Sequence, residues 1–352
     1  SAEEVASLFK NELPEAIETA GYKHILLYAH GGLVSENSAV QRLADYRSSM
    51  LSSGIYPFTF IWHSDYWTTV KNILDDAFRR RRPEGVLDAA KDFMLDRLDD
   101  ALEPLARLLS GKAAWDEMKE NALGATRNGK GGARAVVGHL KRLLDKLPPQ
   151  QKPKIHLVGH SAGSIFHAPL LTALNEAGVD IESCTLWAPA CTVALFKEHY
   201  LPAIKKKRIK RFALFTLSDK SEQDDHCANV YHKSLLYLVS HAFEDKPRIP
   251  LFRPGVPILG MEKYVRQDQE LAALFKTGTA DLVISPNSKP LNSVDASTAL
   301  AHGAFDDDDA TVRATLRRIL GDGLAKGETI EFQRSAASLR ESRQKADRAS
   351  GF

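Results

Sequence analysis

The residues with the clearest chemical use form a short motif in which a serine lies between small neighbours. Residues 159–163 read Gly-His-Ser-Ala-Gly, a GxSxG pattern centred on Ser161, and apolar runs precede and follow it. A serine on a sharp turn between a strand and a helix requires small flanking residues, because larger side chains would collide with the backbone. The motif therefore predicts a nucleophilic Ser161 whose neighbour Ala162 offers its amide to a developing oxyanion. A plain Gly/Ser turn is the alternative.

A second motif could supply the other half of an oxyanion hole. His30, Gly31 and Gly32 directly follow the apolar run 24–29. Glycines at this place let a backbone amide approach the same pocket, and losing one such donor typically costs about 2.7–4 kcal/mol of barrier. We expect the Gly32 amide to be this donor, with Leu33 as the alternative.

Together these motifs resemble the lipase and esterase-like serine hydrolases of the α/β-hydrolase superfamily, over about residues 22–320. The resemblance implies the chain order serine, acid, histidine. His302, in the segment Ala-His-Gly-Ala-Phe-Asp that follows the last apolar run, answers that description. Such a histidine would take the Ser161 proton through one ring nitrogen while a carboxylate holds the other. A histidine in an ordinary surface loop is the alternative.

The resemblance places the acid in the loop after the apolar run 212–217. Four carboxylates occur there: Asp219, Glu222, Asp224 and Asp225. Asp225 is the first choice because small apolar residues follow it closely, as they commonly do in this family. Asp219, next to the end of the run, is the rival.

Short apolar runs alternate with longer helical patterns along the chain, which is typical of a mostly parallel sheet covered by helices. The sequence therefore predicts an α/β class. The clearest helical pattern, 132–147, stops at two prolines. The predicted strands are 24–29, 56–62, 154–158, 183–188, 212–217 and 281–285.

One segment interrupts this alternation. Residues 66–127 are helix-prone and contain no convincing strand, so we expect a helical insertion, a cap or lid candidate, within one hydrolase domain of residues 1–333. Residues 334–352 are polar and basic and are expected to form a mobile tail.

Charge and cysteine content limit the partners. Lys and Arg total 47 and Asp and Glu 45, a net charge of +2, so no nucleic-acid partner is expected. Three cysteines without metal-site spacing favour free thiols and a cytoplasmic location, although a signal peptide removed before residue 1 would also fit. No run approaches the roughly 18 apolar residues of a membrane span, whereas contact with a membrane surface stays open. The oligomeric state is not indicated.

Other patterns with chemical meaning have simpler explanations. The segment 124–130 resembles a phosphate-binding loop but lacks the Ser/Thr that would hold magnesium. His226, Cys227 and His232 lack a fourth ligand at recognisable spacing, and the run Asp306–Asp309 suits a helix N-terminus better than a calcium site. No metal and no cofactor is expected.

The resemblance implies hydrolysis of carboxylic esters through an acyl-enzyme on Ser161, with a small-molecule or lipid-like ester as substrate. A thioesterase or amidase would use the same triad, because an oxyanion hole recognises the carbonyl and not the leaving group. A scaffold without catalytic activity, binding a ligand or a protein through its insertion, is the alternative from another class.

Overall fold

Six parallel strands form one sheet at the centre of the chain, in the order β2-β1-β3-β4-β5-β6. The computed structural model describes residues 2–32, 44, 46–62, 72–74, 76, 91–127, 131–227 and 230–321. The predicted α/β class is confirmed, and all six predicted strands are present. The strands are β1 His24–Ala29, β2 Ile55–Phe60, β3 Lys154–His160, β4 Ile181–Trp187, β5 Ile209–Leu217 and β6 Asp281–Ser285.

Helices cover both faces of the sheet. Two short described stretches have π-helical geometry, Leu8–Glu12 and Val239–Phe243. Arg107–Gly111 is instead a kink between two helices, with non-helical backbone at Leu109 and Ser110. The α-helices are α1 Ala2–Ser7, α2 Leu13–Ala20, α3 Lys91–Ala106, α4 Lys112–Arg127, α5 Gly132–Lys146, α6 Gly163–Glu176, α7 Val193–Lys205, α8 Asp219–Asp224, α9 Leu235–Leu238, α10 Glu262–Gln267, α11 Gln269–Lys276 and α12 Asp309–Leu320.

The two faces of the sheet bury separate apolar layers, because successive side chains along a strand point to opposite sides. Leu157 of β3 belongs to the larger layer, beneath α5, α6 and α7. Its neighbour Val158 belongs to the smaller layer, with Trp187 of β4 and Leu316 of α12. The Trp187 indole donates to Thr315 Oγ1 at 3.0 Å, so α12 is held to the sheet by a buried hydrogen bond as well as by packing.

The register of the sheet brings the predicted site residues to one edge. Ala29 at the end of β1 lies opposite Gly159, and His160 at the end of β3 lies opposite Trp187. Parallel strands have their carboxyl ends at the same edge, where α/β proteins place their ligands. The loops after β1, β3, β5 and β6 therefore all begin at the same edge of the sheet.

The longest described part of the predicted insertion, 91–127, is mainly helical and packs against the body of the protein. Trp115 of α4 is 1% exposed, and its indole donates to Glu244 Oε1 at 2.8 Å. Most of the preceding part, and the predicted tail 334–352, lie outside the described residues. None of the described helices combines the length and the apolar character that crossing a membrane requires.

Candidate active site

Ser161 occupies a tight turn between β3 and α6, as the sequence predicts. Its φ is +50°, a left-handed conformation that costs a non-glycine residue about 1–3 kcal/mol and persists only when its surroundings enforce it. Here the Ser161 amide donates to the Trp187 carbonyl at 2.9 Å, and the Ser161 carbonyl accepts from the Ala190 amide at 3.0 Å. The Ser164 hydroxyl donates to the same carbonyl at 2.6 Å. These bonds fix the strained serine against the end of β4.

The last residue of the motif explains why the turn accepts no larger side chain. A Cβ on Gly163 would lie 2.1 Å from the carbonyl oxygen of Ala29, far inside contact distance. Since that oxygen belongs to the backbone of β1, it could move away only by distorting the sheet. The glycine lets α6 begin directly against the strand that carries the second motif.

His302 reaches the serine from the loop after β6. Its Nε2 is 2.9 Å from Ser161 Oγ, across 141 residues of sequence, and both residues are 2% exposed. Burial, and next the nearby His160, lower the pKa of His302 from 6.5 to about 3, against an opposing effect of Asp306. His302 is therefore neutral near pH 7, and its Nε2 can accept the hydroxyl proton.

The His-Gly-Gly loop lies beside the serine turn. A Cβ on Gly31 would be 3.1 Å from the Ser161 Cβ, and one on Gly32 would be 3.5 Å from the Ala162 Cβ. His30 Nδ1 donates to the Gly31 carbonyl at 2.9 Å, which fixes the loop from within. Among the described residues, neither the Gly32 amide nor the Ala162 amide has a hydrogen-bond acceptor. Leu33, the alternative donor, lies outside the described residues.

The two candidate acids are in different places. Asp225 Oδ2 accepts from the backbone amide of His302 at 2.8 Å, while its Oδ1 accepts from the His226 amide at 2.8 Å. Asp219 Oδ1 instead accepts from the Tyr237 hydroxyl at 2.8 Å, and its Oδ2 accepts from Gln223. Of these two aspartates, only Asp225 contacts His302, and it bonds to the backbone amide of His302 and not to its ring. The ring atom Nδ1 of His302 has no hydrogen-bond partner among the described residues.

The other two carboxylates of the loop do not reach His302. Asp224 is exposed. Glu222 is completely buried, and burial raises its pKa to about 8, so it is a neutral carboxylic acid near pH 7.

A histidine and a carboxylate that the sequence reasoning missed hold the His302 loop from the other side. His160 Nε2 is 3.1 Å from the backbone carbonyl of His302, and His160 Nδ1 is 3.6 Å from Asp306 Oδ2. A carbonyl only accepts hydrogen bonds, so His160 carries a proton on Nε2. The available signal was the alternation of β3, which places His160 on the same face as Val158, toward α12.

The aspartates before α12 have different roles. Asp308 is the N-cap, and its side chain accepts from the Thr311 amide at 3.0 Å, as helix capping predicts. Asp306 is 3% exposed and its Oδ2 lies 3.6 Å from His160 Nδ1, so the helix-terminus interpretation of the run holds for Asp308 and not for Asp306. This carboxylate belongs to the candidate site.

No protein-family model matches the chain, and no curated protein matches it in sequence. The geometry of the site residues is therefore what indicates the chemistry.

Proposed function

We propose that this protein is a serine hydrolase that cleaves carboxylic esters through an acyl-enzyme on Ser161. The observation that carries the proposal is the 2.9 Å contact between Ser161 Oγ and His302 Nε2 on a strained strand-to-helix turn. A nucleophile within hydrogen-bond reach of a neutral histidine is the arrangement that activates a weakly acidic hydroxyl. Both side chains are shielded from bulk water, which strengthens electrostatic interactions between them.

In the first half-reaction, Ser161 Oγ attacks the ester carbonyl while its proton moves to His302 Nε2. The carbonyl π electrons move to oxygen, and the amides of Gly32 and Ala162 are the donors positioned beside that oxyanion. Collapse of the tetrahedral intermediate expels the alkoxide, which takes the proton from His302 and leaves as an alcohol. Water then attacks the acyl-enzyme with His302 as base again, which releases the acid and restores Ser161.

The imidazolium that forms in each half-reaction needs compensation, because the buried ring has a low affinity for its second proton. Asp225 supplies a negative charge on the backbone amide of His302, and Asp306 raises the pKa of the same ring. We assign Asp225 as the acid of the triad in this electrostatic sense. His160, bonded to the His302 carbonyl, is a positioning residue.

Membership of the α/β-hydrolase superfamily is part of the proposal. It is supported by a parallel sheet with the nucleophile turn after β3, the His-Gly-Gly loop after the neighbouring β1 and the histidine after β6. The six-strand order, β2-β1-β3-β4-β5-β6, is not the classical order of the complete hydrolase sheet. The proposal therefore rests on the site more than on the sheet.

The test is turnover of p-nitrophenyl esters of graded acyl length, with the matching thioesters and amides alongside. We expect ester hydrolysis to be fastest, and Ser161→Ala or His302→Ala to reduce it by up to about a millionfold. Ser52→Ala is the control, because its exposed hydroxyl bonds to the Ser49 carbonyl and to no residue of the candidate site. Equal activity in wild type and Ser161→Ala would exclude the proposal, and a thioester preference would move it to the alternative substrate class.

A further inference from the structure

A turn closed by two backbone hydrogen bonds exposes three neighbouring apolar side chains to solvent. Ile249 and Arg253 exchange backbone hydrogen bonds of 2.9 Å in both directions, which closes a five-residue loop. At its tip Leu251 is fully exposed and Phe252 is 87% exposed, while Ile249 is 44% exposed. We call residues 249–253 the apolar turn.

The apolar residues of this turn do not stabilise the fold through backbone preference or burial. Leu251 has a φ of +68°, a left-handed conformation in which glycine or asparagine would be less strained. A leucine there contributes no burial in return. Single exposed apolar residues are ordinary, but a contiguous group held in a strained, closed loop is typical of a contact surface.

Basic residues are concentrated at the apolar turn: Lys246 and Arg248 precede it and Arg253 is its last residue. The nearby exposed Asp245 pairs with Lys112 at 2.9 Å. Arg248 is engaged by Asp100 and Glu103 of α3. Lys246 and Arg253, in contrast, pair with no carboxylate within the described ranges. An apolar tip with basic flanks is complementary to a bilayer surface that contains anionic lipids.

The apolar turn is connected to the candidate site through the chain that follows it. The segment that follows it runs beside the loop after β4, where the Val193 amide donates to the Pro257 carbonyl and the Leu259 amide donates to the Cys191 carbonyl. That loop also carries Ala190, whose amide bonds to Ser161. The segment before the turn is held to the insertion, since Arg107 donates to the Glu244 carbonyl at 2.6 Å.

We propose that the apolar turn docks this protein on an anionic lipid surface, with Leu251 and Phe252 in the interfacial region and Lys246 and Arg253 among the headgroups. Because residues 257 and 259 join the chain after the turn to the loop that bonds Ser161, docking there would bring the candidate site near the bilayer. The substrate class is then an ester of a membrane lipid, a conclusion that rests on the proposed hydrolase function. The binding itself does not rest on that function.

The test is cosedimentation of the full chain with vesicles of phosphatidylcholine alone or with one third phosphatidylglycerol. We use Ser161→Ala as the background, so that binding is measured without turnover. We expect binding to the anionic vesicles, and a roughly 10–100-fold loss of partitioning when Leu251 and Phe252 are both replaced by serine. Lys246→Glu should weaken binding about fivefold or more, on the anionic vesicles only. Leu291→Ser, at an exposed leucine of another loop, is the matched control and should bind normally.

Unchanged binding in the double serine variant would overturn the proposal, as would absence of binding to either vesicle. If the chain instead forms a dimer that the double variant dissociates, a second copy covers the turn and the lipid proposal is wrong. Hydrolysis of soluble esters by the unmodified chain is measured separately. Vesicle binding without any ester hydrolysis would reject the function and keep the docking surface.

Discussion

Asp225 contributes both a negative charge and a hydrogen-bond acceptor for the His302 amide, and replacing it by asparagine removes the charge while keeping an acceptor. Its Oδ2 accepts from the His302 amide at 2.8 Å, whereas the carboxylate that raises the pKa of the ring itself is Asp306. A hydrogen bond to a charged acceptor contributes about 1.5–3 kcal/mol and is roughly twice as strong as a neutral one, so neutralising Asp225 should cost about 1.4 kcal/mol. That energy corresponds to about tenfold in rate.

Asp225→Asn should therefore lower kcat/KM for an ester about tenfold with little change in fold. The asparagine oxygen can stay on the buried His302 amide, while its NH2 group cannot accept from the amide of the exposed His226, so that outer hydrogen bond is lost. Asp225→Ala should lose about tenfold more, because it also leaves the His302 amide without its acceptor and loosens the loop. The assay is steady-state kinetics on a p-nitrophenyl ester, with the melting temperature measured for each variant.

Asp219→Asn is the matched control, because this carboxylate bonds to Tyr237 and Gln223 and not to His302. We expect its kcat/KM to stay within about threefold of wild type. An Asp225→Asn variant within about threefold of wild type would refute the electrostatic role. A larger loss in Asp219→Asn than in Asp225→Asn would show that the triad acid is the rival.

Three further outcomes follow from the same contacts. Because burial lowers the pKa of His302 to about 3, kcat/KM should stay level from pH 8 down to about 5. A decrease of kcat/KM with an apparent pKa near 6.5 would contradict the buried environment of His302. His160→Leu removes the donor to the His302 carbonyl and should lower kcat about 10–100-fold at an unchanged KM. His160→Gln keeps a donor there and should retain most of the wild-type kcat. Equal losses of kcat in both variants would exclude the positioning role. In wild type, stability should fall by up to about 1.4 kcal/mol per pH unit between pH 4.5 and 8, because Glu222 ionises in the unfolded chain before it does in the folded protein. Glu222→Gln removes this loss, so the variant should be more stable than wild type by an amount that grows through this pH range and is absent near pH 4. A stability gain in urea unfolding that does not change with pH would argue against a protonated Glu222.

The parts of the fold with strong local signals could be predicted from the sequence. The near-continuous apolar runs gave all six strands, because strands buried on both faces have this composition. Their ends were less accurate. β2 ends at Phe60 where the sequence predicted 62, and β4 begins at Ile181 where it predicted 183. Strand ends depend on register with the neighbouring strand, which local composition does not carry.

The candidate site was predictable where a motif encodes backbone strain. Gly163 and the left-handed Ser161 belong together because a Cβ at 163 would collide with β1, so the motif itself carries the geometry. His160 and Asp306 could not be found in this way. Their relation is a contact between the end of β3 and the loop before α12, and no short spacing records it. The acid was ambiguous for the same reason, since four carboxylates in one loop differ only in what they meet in space.

The most direct measurement is intact-protein and peptide mass spectrometry after treatment with a fluorophosphonate probe, on wild type, Ser161→Ala and His302→Ala. The probe phosphonylates serines that a neighbouring base activates. We predict one adduct on wild type, located at Ser161, none on Ser161→Ala, and labelling slowed by several orders of magnitude on His302→Ala. A folded wild-type protein that takes up no probe, or an adduct on another serine, would contradict the account.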